Sequence, residues 1–146
     1  MPTLVETLIQ MGDWYQIKES PRDALPYYQR AWKFINEAAN LPSSIATALN
    51  VPVRVSYPTP QIVSDVPKVS AEQMRSNSVQ FEFTVAADGS VQDARIVDHD
   101  TRDKYAQQIF DAVRDARFRP KFIDGQAVAA TGITYREVFW TEKPRD

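Results

Sequence analysis

The chain's single histidine, His99, stands between two acids in Asp98-His99-Asp100. An imidazole with two carboxylates is a metal-binding set by type. Three consecutive residues cannot all turn inward without an irregular loop, so the segment reads as a solvated turn that caps a helix. There is no cysteine, which removes disulfides, thiolate metal sites and thiol nucleophiles. Ser78 and Ser90 lack the glycine-flanked elbow that exposes a nucleophilic serine. Four glycines in the whole chain leave no room for a phosphate loop or dinucleotide fingerprint. Arg114, Arg117 and Arg119 cluster where a helix should end, and there they complement the helix dipole. Trp14, Trp32 and Trp140 read as packing residues, with Trp140 the most exposed. A formal net charge of −2, from 17 basic and 19 acidic residues, gives no nucleic-acid footprint. Nothing here points to an enzyme, a metal or a cofactor.

The positioning elements divide the chain into three: 1–40, 41–78 and 79–146. With 146 residues and 43% apolar content, a packed core is within reach. Thr3 and Glu6 have capping-box spacing, and Leu4, Leu8, Met11 and Tyr15 form one stripe. Ser20-Pro21 with Asp23 starts a second helix carrying Ala24, Tyr28, Ala31 and Ile35, with Leu25 and Trp32 beside them. Pro26 falls in its second turn and should kink it or delay its start. In 41–78, five of the ten prolines loosen the chain. Val51, Val53, Val55 and Tyr57 alternate as a short edge or non-central strand. Ser70 and Gln73 cap one turn.

From Ser78 the pattern changes to period two. Val79, Phe81, Phe83 and Val85 alternate with Gln80, Glu82 and Thr84; Asp88-Gly89 is a turn, and Val91 to Val97 returns. The expected hairpin is 79–97. A helix over 101–116, capped by Asp100 or Thr101, turns Tyr105, Ile109, Val113 and Ala116 inward. Asp124-Gly125 makes another turn, and Ile133, Tyr135 and Phe139 alternate in a last strand. The expected class is α+β. An N-terminal antiparallel helical hairpin precedes a small antiparallel sheet, ordered strand-strand-helix-strand, with a helix on one face. The helical hairpin cannot cover its own apolar faces. It must pack on the 41–78 segment, on the sheet module or on another chain.

Two family resemblances follow. Gly12, Tyr15, Ala24, Tyr28 and Ala31 occupy the small and aromatic positions of a tetratricopeptide repeat. Leu8 stands where that repeat usually has tryptophan, and Asn36 where it has its closing proline. Val79 to Val85, Asp88-Gly89-Ser90-Val91, the helix, Arg117-Phe118-Arg119-Pro120, Asp124-Gly125 and Ile133 to Trp140 together resemble the TonB C-terminal domain family, over about residues 79–140. In that family Phe118 and Pro120 would anchor the crossover, and Tyr57-Pro58 would match the tyrosine-proline pair before the hairpin.

The resemblance implies a periplasmic peptide-binding module of a TonB-type transport system. Its partner would be a TonB-dependent outer-membrane receptor or another protein, bound as an added β-strand. The candidate surface is the last strand, Gly132, Ile133, Thr134, Tyr135, Arg136, Glu137, Val138, Phe139 and Trp140. Arg136 and Glu137 in its middle would discourage indiscriminate edge pairing. The 51–57 strand or a second copy of the chain, forming a homodimer, could occupy that edge instead. The alternative reading is a periplasmic scaffold without energy transduction. No apolar run approaches the ~20 residues of a membrane span, and Met1 to Glu6 is no signal peptide. Either the protein is cytosolic, or its signal or inner-membrane anchor lies upstream of Met1. The anchor and long proline-rich linker that transduction requires are not within these residues.

Overall fold

A computed structural model describes residues 3–65 and 67–144. Helix α1 (Leu4–Ile17) begins at Thr3, whose hydroxyl accepts from the Glu6 N–H at 3.1 Å. It ends in a left-handed turn with Glu19 at φ 57°. The Glu19 and Ser20 N–H groups donate back to the Gln16 and Tyr15 carbonyls, which satisfies the helix end. Helix α2 (Pro21–Glu37) starts at Pro21, as expected, and continues through Pro26. The N–H that Pro26 lacks would have bonded the carbonyl of Arg22, an exposed residue whose carbonyl water can reach.

The buried stripe of α1 is Val5, Leu8, Ile9, Gly12 and Gln16. The expected stripe was turned by part of a turn: Leu4 and Met11 face out, and Tyr15 is half-buried. Tyr28 is buried, Trp32 only partly, and Trp14 is 51% exposed, as open as Trp140 at 50%. Gly12 sets the approach of the two helices, because a Cβ there would lie 2.4 Å from Tyr28 Cε1.

The hairpin is covered from one side by later chain. Ile45 of α3 (Ser43–Ala46), Leu49 and Phe122 complete its core with Val5, Leu8, Ile9 and Ala31. Phe122 meets Tyr28 edge-on, with ring centroids 5.8 Å apart. So the hairpin packs on both of the chain segments named as its expected partners.

Strand β1 (Val53–Ser56) leads to α4 (Gln61–Ser64) and a single 3₁₀ turn, Ala71–Gln73. Strand β2 (Met74–Val85) starts earlier than the expected hairpin, and β3 (Val91–His99) ends later. Helix α5 (Asp103–Arg114) is shorter than 101–116. Neither expected cap acts as one: Arg102 holds the cap position, and the Asp100 carboxylate instead accepts from the Ser78 N–H at 2.6 Å. Arg117–Arg119 is not a helix end but strand β4, antiparallel to β1 with Val53 opposite Arg119. Strands β5 (Lys121–Ile123) and β6 (Gln126–Val128) form a tight hairpin, with Asp124 and Gly125 both at positive φ. Strand β7 (Ala130–Glu142) closes the chain's main sheet.

That sheet has the order β3-β2-β7, all antiparallel. Val79, Phe81, Phe83 and Val85 are buried against Ile109, Val113, Ala116 and Phe118. Gln80, Glu82 and Thr84 take the other face, as period two requires. Tyr105 is only half-buried, at the rim of this core. Gly89 is required twice over: its φ is +85°, and a Cβ would lie 2.2 Å from the Phe118 carbonyl oxygen.

Candidate functional site

The candidate residues Gly132 to Trp140 all lie in β7, one of the two edge strands of the sheet. One side of β7 pairs with β2 from Met74↔Glu142 to Val85↔Ala130, and among the described residues no strand pairs with its other side. Strand β1 does not occupy that edge, because it pairs with β4. Gly132, at φ +66° with open space around it, absorbs one extra residue where the register shifts near Val85.

The direction of each β7 amide follows from the ladder. The Lys143 N–H donates to the Gln73 carbonyl at 2.8 Å, one step beyond the Met74↔Glu142 pair. Hydrogen-bonded and non-bonded pairs alternate in an antiparallel ladder. Ile133, Tyr135, Glu137, Phe139 and Thr141 therefore bond to β2. Thr134, Arg136, Val138 and Trp140 turn their N–H and C=O groups to the open side. The other side of β2 agrees: the Asp100 N–H donates to Ser78, an even-numbered residue. The exposed side chains of Thr134, Arg136, Val138 and Trp140 share the face opposite α5.

The inner side of this edge is built by residues that the sequence reading did not join. Phe110, Phe81, Tyr135 and Tyr57 form a row across the sheet, with centroid steps of 6.3, 6.5 and 6.1 Å. The row runs from α5 toward the open edge. Ile62 and Val63 of α4 pack on the same core. At the end of the row the Arg54 guanidinium lies 4.4 Å from the Tyr57 centroid and 4.9 Å from that of Tyr135. Glu137 is buried and accepts from the Tyr135 hydroxyl. It is therefore not an exposed gatekeeper charge; only Arg136 has that position. Burial, then Glu137, raises the Tyr57 pKa well above the usual phenol range, and Tyr135 is raised by burial and its bond to Glu137. The sequence singled out Tyr135 and Glu137 in the last strand and Tyr57 in Tyr57-Pro58, but Arg54 carried no signal.

The expected basic cluster is split by the fold. Arg117 Nε donates to Gln16 Oε1 at 3.0 Å. Arg119 grips Asp13 with two nitrogens, Nε at 3.0 Å and Nη2 at 2.7 Å, and donates to the Ala48 carbonyl. The Tyr28 hydroxyl also donates to Asp13, at 2.7 Å. Both arginines thus fasten the helical hairpin to β4 and do not serve the helix dipole; Arg114 alone stays in the last turn of α5. His99 lies 3.5 Å from Asp103, and among the described residues no cluster of histidines and acids could hold a metal.

Among the described residues no helix is long and apolar enough to cross a membrane. No curated protein matches this chain. Among solved structures it is similar to the solution NMR structure of the TonB C-terminal domain of Pseudomonas aeruginosa. That similarity has 21% identity and a TM-score of 0.44, over 64% of this chain and 90% of that one. The family model described as Gram-negative bacterial TonB protein C-terminal matches residues 66–137, which hold β2, β3, α5 and more than half of β7. It is this segment, 66–137, that matches the TonB C-terminal family, in agreement with the resemblance read over residues 79–140.

Proposed function

We propose that this chain is a periplasmic protein-binding module of a TonB-type transport system and that it takes up an extended partner segment as a new strand on β7. The observation that carries the reading is the open side of β7, where Thr134, Arg136, Val138 and Trp140 offer unpaired backbone groups. The partner fitting this surface is a peptide stretch of an outer-membrane receptor. In this reading residues 79–146 carry the binding function and 41–78 brace its inner side. Residues 1–40 form a tetratricopeptide-like hairpin that holds the module in place.

Proline scanning tests it. Thr134→Pro and Arg136→Pro each remove one outward N–H without touching the ladder to β2, so both should weaken an extended peptide while the sheet survives. Tyr135→Pro removes a ladder donor and should unfold the sheet instead. Unchanged peptide affinity in both outward variants contradicts strand addition. A second reading, a scaffold without energy transduction, draws on the hairpin bolted by Arg119 and on Leu4, Met11, Trp14 and Ile17 exposed along α1. Amide shifts confined to residues 4–37 on adding the partner would favour it.

A further inference from the structure

We infer that Arg54 reads an acidic side chain on the bound segment, at the partner position directly opposite Tyr135. This rests on the strand-addition reading above and adds the chemistry of the partner. Arg54 is exposed, its guanidinium carbon lies 4.4 and 4.9 Å from the centroids of two tyrosine rings set 71° apart, and it belongs to none of the ion pairs among the described residues. The two rings hold the guanidinium at the rim, where its N–H donors can meet a bidentate carboxylate. Tyr135 bonds to β2, so on its open side it makes a non-hydrogen-bonded pair, the closer of the two kinds for side chains. The partner residue in that pair shares the inner face with Tyr135 and meets Arg54. An acid two residues further along, opposite Glu137, faces that buried carboxylate directly, so charge disfavours that register. The open backbone continues on both sides of Tyr135, so the group recognised is a side chain within a passing strand and not a chain terminus.

Two short peptides decide this. Both carry valines at the other inward positions and threonines outward; one has Glu and its twin Gln at a single central inward position. They are titrated into the whole chain, with affinity read from backbone amide shifts. The Glu peptide should bind about tenfold more tightly at low salt, the scale of one charge-assisted pair. Arg54→Gln should abolish the difference with the rest of the amide spectrum unchanged, and Arg54→Lys should restore only part of it. Equal affinities in the unmodified protein, with shifts along β7, overturn the role of Arg54 and leave strand addition standing. A preference that survives Arg54→Gln overturns it too. No shifts along β7 with either peptide overturn both readings.

Discussion

Arg119 and Arg54 stand on the two strands of one small ribbon, β4 and β1, a single register step apart. Arg119 points to the helical hairpin. Its side chain is 14% exposed, it holds Asp13 through two bonds, and Asp13 also receives the Tyr28 hydroxyl. Burial opposes its charge, Asp13 outweighs burial, and the pKa is raised. Arg54 points to the sheet edge, is exposed, lies against two tyrosine rings, and forms none of the ion pairs among the described residues. One cation is satisfied within the chain and its role is structural. The other is held by two tyrosines without an ion-pair partner, which suits recognition of something outside. The same contrast separates the two sides of β7: one is bonded to β2, while among the described residues no strand pairs with the other.

The largest effect should come from breaking the closed side. Asp13→Ala leaves Arg119 buried without its acid and Tyr28 without its acceptor, at a cost of about 3 kcal/mol in urea unfolding. Replacing both partners, Asp13→Leu with Arg119→Met, should cost clearly less than the single change. Additive costs would mean that the pair is not a coupled unit.

Gly12→Ala should follow, at about 2 kcal/mol, because the new methyl overlaps the Tyr28 ring and that ring is pinned through its hydroxyl. A change within error of zero would show that the helices separate freely.

Alkali should act next. Tyr28, Tyr57 and Tyr135 all have phenol pKa values raised by folding, burial being the first cause of each. The stabilisation is complete below about pH 10, the unfolded value, and is lost as pH rises from there toward the folded values. Stability that stays flat from neutral to strongly alkaline pH would contradict these environments.

The smallest effect is a gain. Glu19→Gly relieves a left-handed residue at the end of α1 and should stabilise by about 1 kcal/mol in thermal unfolding.

The period-two runs from Val79 to Val85 and from Ile133 to Phe139, and the turns at Asp88-Gly89 and Asp124-Gly125, were legible because their signals are local. So was the helical hairpin, through Thr3, Pro21 and the stripe of α2. The α1 stripe was misplaced because apolar residues occur nearly all round that helix, and Gln16, not a hydrophobe, fills one of its inward positions. Arg117-Phe118-Arg119 was read as a helix end because nothing local reveals that a strand more than 60 residues earlier pairs with it. The edge strand was legible as the last strand of a small sheet. The Arg54–Tyr57–Tyr135–Glu137 cluster was not, since it depends on two segments distant in sequence meeting at one rim.

Hydrogen exchange along β7 tests the central claim most directly. In the isolated chain the Tyr135, Glu137 and Phe139 amides should be protected and the Thr134, Arg136, Val138 and Trp140 amides should exchange freely. Adding an extended partner peptide should protect that second set and leave the first unchanged. Protection of the second set before any partner is added, or no protection at saturating peptide, would contradict an open edge that accepts a strand.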